Sequence, residues 1–253
     1  MTNDSVSRRA SLALGLSLLC PSFALAFGED GAFHARLLSF RRDDLELELS
    51  ATRRWALELT RRTSAPGKLA SFSVEPKSND LLKEPFLVWT GVEDPGPLDA
   101  RAIRGLRQYL RMGGILLVDD RLPRPEMGVF LKAARREIAR VLPEATPVRL
   151  EKNHVIFKSF YIVPTPQGRA LGPDYIEAVV AGKDVQVLFL NHDLLGALAR
   201  QGETWALPME SGDAMAREYA IRFAVNISMY VLCSDYKDDQ VHAPFLMRRR
   251  QER

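Results

Sequence analysis

The sequence predicts an α/β protein with a single doubly wound, mostly parallel sheet flanked by helices. Three observations lead there. Short apolar strand patterns alternate with amphipathic helical patterns; one of them, Ile115-Leu-Leu-Val118, is apolar at every position, as in a strand buried on both faces; and no long linker interrupts the alternation. With 253 residues, 46% apolar and 26% charged, the chain has the composition of a globular domain rather than a disordered, collagen-like or disulfide-scaffold protein.

The amino terminus reads as a signal for export. Arg8 and Arg9 precede the apolar run from Ala10 to Cys20, and Ala24-Leu25-Ala26 offers the small residues of a cleavage site. Residues 1–26 are therefore expected to form a twin-arginine-type signal peptide cleaved after Ala26, leaving 27–253 as one domain with a basic tail. Ser11 stands where the twin-arginine pattern carries Phe, which keeps a general secretory signal as the alternative. Leu19 is too bulky for Cys20 to serve as a lipoprotein site. A bilayer-spanning helix needs about 20 apolar residues, and Pro21 breaks this run, so no membrane anchor is expected after cleavage. The expected location is periplasmic or otherwise extracytoplasmic. The expected partners are the export machinery and an envelope protein.

Along the remaining chain, Ala35–Phe40 reads as a strand, Arg54–Arg62 as a helix, and Pro85–Thr90 as a strand ended by Gly91. Leu98–Met112 gathers Leu98, Ile103, Leu106, Leu110 and Met112 on or near one face, and Gly113-Gly114 stops that helix ahead of the strand beginning at Ile115. Pro125 suits the first position of a helix running to Val141 and ended by Pro143. Ile176–Val180 and Val185–Leu190 flank a turn at Ala181-Gly-Lys-Asp184 as a hairpin. The last helix is expected to start at Ser211 or Asp213 and run to Leu232.

A net charge of +3 is too weak for an electrostatic case for nucleic acid. The basic residues Arg248, Arg249, Arg250 and Arg253 read as a solvated tail. Of the two cysteines, only Cys233 lies outside the signal, so no internal disulfide is expected; within an apolar helical run it reads as a buried, inert thiol.

Several segments carry a resemblance: Phe33–Leu38, Pro85–Trp89, Leu106–Asp120, Asn153–Phe157 and Asn226–Gln240. Together they resemble domain-of-unknown-function family 4159 across nearly the whole chain after the signal. The resemblance implies a flavodoxin-like sheet of the class I glutamine amidotransferase-like group and brings no established activity. Those enzymes carry a nucleophilic Cys after the strand where this chain has Asp119 and Asp120, so the resemblance does not extend to their chemistry.

Open parallel sheets bind ligands outside the carboxyl ends of their strands. That rule selects Trp89, Thr90, Asp119, Asp120, Asn191, His192 and Asp193, with His154 and Tyr161 as nearby additions. Asp120, His154, His192 and Asp193 would suit a divalent metal, and Asp120, His154 and His192 acid/base work, if they met. The structural alternatives are that an aspartate ties the loop before Pro125, that His192-Asp193 caps a turn, and that His154 is a satisfied core residue. No His-Glu-x-x-His, phosphate loop, Gly-x-Gly-x-x-Gly, Gly-x-Ser-x-Gly or Cys-x-x-Cys motif names a cofactor. Glu218, Arg222, Asn226 and Tyr230 recur every fourth residue, as the solvated side of the last helix or as a polar seam ordering Tyr236–Gln240. Two functions follow: a non-catalytic export-side module binding a protein or small ligand through the strand-end crevice and the carboxy-terminal segment, or a hydrolase, metal-assisted or not, using Asp120, His154 and His192 at the same crevice.

Overall fold

The computed structural model describes residues 31–40, 45–121 and 128–251, with side chains as far as Ser234. The expected signal peptide with Arg8, Arg9 and Ala26, Pro125, and the side chains of Tyr236–Gln240 lie outside the described residues.

The elements in chain order are β1 (Arg36–Leu38), α1 (Glu46–Arg62), β2 (Ser73–Val74), β3 (Phe86–Gly91), α2 (Ala100–Arg111), β4 (Ile115–Asp120), α3 (Val129–Val141), β5 (Val148–Leu150), β6 (Ile176–Ala181), β7 (Asp184–Leu190), α4 (Leu194–Leu198), β8 (Arg200–Gln201), β9 (Thr204–Trp205) and α5 (Ala216–Gln251). Seven strands form one sheet in the order β2-β1-β3-β4-β7-β6-β5. The first five are parallel; β6 runs antiparallel to β7, and β5 antiparallel to β6. The doubly wound α/β fold expected from the sequence is thus present, with the strand order of a flavodoxin-like sheet and a switch point between β1 and β3.

Alternation along the central strands builds the two layers. Phe86 and Val88 of β3 and Ile115 and Leu117 of β4 face one side, packing with Trp55 of α1, with α4 and with Phe223 of α5. Leu87, Trp89, Leu116 and Val118 face the other side, where α2 and α3 supply Leu106, Leu110, Phe130 and Ile138. Because both faces are covered, neither strand shows a polar side, which is why β4 could be recognised as a continuous apolar run.

Polar ties join the layers. Trp55 Nε1 donates to Ser228 Oγ at 2.7 Å and to the Ala224 carbonyl at 2.9 Å, holding α1 to α5. Arg36, buried on β1, donates to the carbonyls of Asp80, Leu81 and Glu84 and pins the 3-10 turn Asn79–Lys83. Asp99 caps α2 by accepting from the amides of Arg101 and Ala102. Gly113, at φ +94, ends that helix in a conformation a side chain would oppose.

Four boundaries differ from the sequence reading. Helix α1 begins two turns early, at Glu46, because the buried Glu48 is neutralised by Arg121. Helix α3 starts at Val129 behind Gly128. At the start of α5, Asp213 forms a turn by accepting from the Met215 amide, and the helix begins at Ala216 and continues to Gln251. Cys233 is exposed, not buried. No described helix is long and apolar enough to cross a membrane.

Candidate functional site

The carboxyl ends of β4 and β7 bring Asp119, Asp120, Asn191, His192 and Asp193 to one end of the sheet, as the strand-end rule expects. Their exposure decides what they can do: 0%, 1%, 7%, 4% and 1%. Asp119 accepts from the amides of Leu194 at 3.0 Å and Leu195 at 2.8 Å, fastening the first turn of α4 to the end of β4. It does tie backbone amides, but those of α4 rather than of the loop before Pro125. Burial, then the neighbouring charge of Asp193, pushes the Asp119 carboxyl well above the usual range.

Asp193 caps α4 by accepting from the Gly196 amide at 2.9 Å, and it adopts φ +52, which non-glycine residues rarely hold. Burial raises its carboxyl as well, against the opposing pull of the ion pair with Arg169. A strap formed by residues 165–174 crosses this corner: the amides of Arg169 and Ala170 donate to the carbonyls of Asp193 and His192 at 3.0 and 2.9 Å. The strap lies so close that a Cβ on Gly168 would overlap the His192 carbonyl. Beneath it, burial lowers His192 to about 4, although its ring donates to the Pro173 carbonyl. His192 is neutral at neutral pH, and its Nδ1 has no hydrogen-bond partner among the described residues. It lines a cavity of about 290 Å³ with Arg169 and Tyr219.

The other expected site residues lie elsewhere. Trp89 packs in the α2/α3 layer against Phe40 and Phe130 and is 2% exposed. His154 follows the edge strand β5, caps a 3-10 turn through Nδ1, and packs beside Tyr230, whose hydroxyl accepts from the Val185 amide near the amino end of β7. It is therefore remote from Asp120 and His192, and burial lowers its pKa too. Tyr161 is held by Asn226 on α5, through its amide at 2.7 Å and its carbonyl at 2.8 Å, with the Arg222 guanidinium over its ring. The set Asp120, His154, His192 and Asp193 does not converge; among the described residues no group of three or more His, Cys, Asp or Glu side chains is disposed to hold a metal ion.

The polar stripe on α5 is a seam, not a solvated face. Glu218 takes a two-pronged ion pair from Arg62 at 2.8 Å and another from Arg222, Asn226 anchors residues 159–161, and Tyr230 reaches β7.

The space beside the buried cluster is an open cleft of about 900 Å³. One wall is the face of α1 carrying Glu46, Leu47, Ser50, Arg53, Arg54 and Leu57, spaced three or four apart. The β8–β9 hairpin with Ala206 and Leu207 forms the other, and Arg121, directly after β4, closes one end. Ser50 Oγ accepts from the Arg200 amide at 2.9 Å, so hairpin and helix are tied together. Trp205 lies within cation–π range of Arg54, Arg200 and Arg217, at 5.0, 4.7 and 4.5 Å.

Reading strand ends found the buried cluster and missed the cleft. Arg121 stands one residue beyond Asp120, and the α1 face is invisible while that helix is taken to begin at Arg54. Arg200 and Trp205 sit on two-residue strands whose one legible sign is Gly202 between them.

No curated protein matches the chain. The family model described as "Domain of unknown function (DUF4159)" matches residues 39–232, which takes in every strand of the sheet except β1, the strand-end cluster and the cleft. The chain belongs to the DUF4159 family.

Proposed function

We propose that this is an exported, non-catalytic module on an amidotransferase-like scaffold that binds a ligand or protein partner in the cleft between α1 and the β8–β9 hairpin. The observation that carries the reading is the use of the strand-end acids: Asp119 is committed to two α4 amides and Asp193 to Gly196 and Arg169. Groups so occupied hold the frame together, and the accessible chemistry beside them is that of recognition. Incubation with chromogenic esters, phosphoesters and glycosides is expected to give no turnover above buffer. A bound ligand should be recovered unchanged.

One observation favours the hydrolase instead. The neutral His192, with Nδ1 unpartnered among the described residues, lines a small cavity and has the form of a general base. Turnover abolished by His192→Ala would replace the binding reading. The export component rests on residues 1–26: changing Arg8 and Arg9 to Lys should block secretion, and continued secretion would assign the general secretory route. Exported protein should begin at Phe27, and an intact amino terminus counts against cleavage.

A further inference from the structure

We infer that the cleft along α1 binds a carboxylate carried on an aliphatic frame, an assignment that rests on the reading of this cleft as the binding site. Four guanidiniums and three glutamates line it: Arg53, Arg54, Arg121 and Arg200 against Glu46, Glu48 and Glu203. Arg54 is occupied by Glu58, outside the cleft, and Arg121 by Glu48. Arg53 and Arg200 have no carboxylate partner among the described residues.

Arg200 is also held in place. Ser50 takes its amide, the Glu203 carbonyl accepts from its guanidinium, and its side chain lies over Trp205. A guanidinium already fixed loses little freedom on pairing, which favours a planar oxyanion. Arg217, on the same ring, bonds to the Ala197 and Leu207 carbonyls and has no carboxylate partner among the described residues, so its charge adds to the positive potential there.

The glutamates decide which anion fits. A phosphate dianion would concentrate both its charges at one point on a wall that also carries Glu46 and Glu203, whereas each carboxylate group brings a single charge that a guanidinium pairs in two-pronged fashion. The Arg121–Glu48 pair shows the same chemistry already formed at one end. Between the charged groups, Leu47, Leu57, Leu207 and the 52% exposed Leu69 offer an apolar surface for the carbon chain of the ligand.

The test titrates the full chain at low ionic strength with adipate, its neutral diamide adipamide, and inorganic phosphate, following the arginine Nε–H resonances by NMR. Adipate should shift Arg53 and Arg200 saturably, with a dissociation constant of roughly millimolar order, and adipamide should not. The double variant Arg53→Gln/Arg200→Gln should weaken adipate roughly ten-fold or more while its NMR spectrum remains that of the folded protein. Glu48→Gln, which releases Arg121, should tighten it. Silence up to about 50 mM adipate, equal shifts from adipamide, or tighter saturation by phosphate each overturn the assignment. Such a failure in a protein without turnover leaves the binding-module reading standing; turnover sinks that reading whatever adipate does.

Discussion

Asp119 is the last residue but one of β4 and Leu195 lies in the first turn of α4, 76 residues later, and a 2.8 Å bond from the Leu195 amide to the Asp119 carboxylate makes the two one corner. Removing that carboxylate strands two buried amides, each costing about 1–3 kcal/mol, while relieving repulsion from Asp193 and Asp120. Asp119→Ala should therefore destabilise the protein by about 2–4 kcal/mol in urea unfolding at pH 7. A change below about 0.5 kcal/mol would mean that the corner is not a structural staple.

The same corner should respond to rising pH. Asp119 and Asp193 are both raised, chiefly by burial, so their contribution to stability is full below the ordinary carboxylate value of 3.8 and is lost as pH rises through the elevated folded-state values. Carboxylates held low by partners, such as Glu218 beside Arg62, act in the opposite sense and lose their contribution on acidification. Asp119→Asn should flatten the decline of stability as pH rises above 3.8 and leave the limb below it unchanged. Parallel unfolding curves for variant and wild type across the pH range would refute the assignment.

His192 predicts an acid limb of its own. Its folded pKa of about 4 lies below the ordinary histidine value of 6.5, so its contribution is present above 6.5 and lost as pH falls toward 4. The shift corresponds to roughly 3 kcal/mol over that window. His192→Gln, which retains a donor for the Pro173 carbonyl, should reduce the slope of stability against pH between those limits. An unaltered slope would show that His192 takes up its proton without unfolding.

Gly168 reports on the strap. A methyl group there overlaps the His192 carbonyl, so Gly168→Ala should lift residues 165–174 and cost about 1–3 kcal/mol. Limited trypsin digestion should then cut after Arg169 faster than in the wild type. Equal rates would show that the corner adjusts around the added methyl.

How much could be read beforehand follows from where the partners lie in sequence. Strands β3 and β4 were legible because all their core positions are apolar, and the β6–β7 hairpin because its turn is local. The start of α1 was not: Leu45-Glu-Leu-Glu-Leu49 alternates with period two, and Glu48 occupies a core position that only Arg121, 73 residues away, makes tolerable. At the strand ends the sequence identified Asp119 and Asp193 as placed there, but their partners are amides of α4 and a guanidinium of the strap, which no local pattern names. Trp89 was misjudged because its face of the sheet depends on α2 and α3 covering it. His154 was misjudged because β5 lies beyond β6, at the far edge from β1.

The bond from Trp55 to Ser228 spans 173 residues. Until α5 docks, the layer against that face of the sheet lacks a wall, and Trp55, Phe33 and Phe86 remain open to water or to other chains. Loop closure over such separations is slow compared with local helix formation. The rate at which α5 arrives therefore sets how long this apolar face is exposed to aggregation or to a chaperone, and quenching of Trp55 fluorescence during refolding should follow that last step rather than the first collapse.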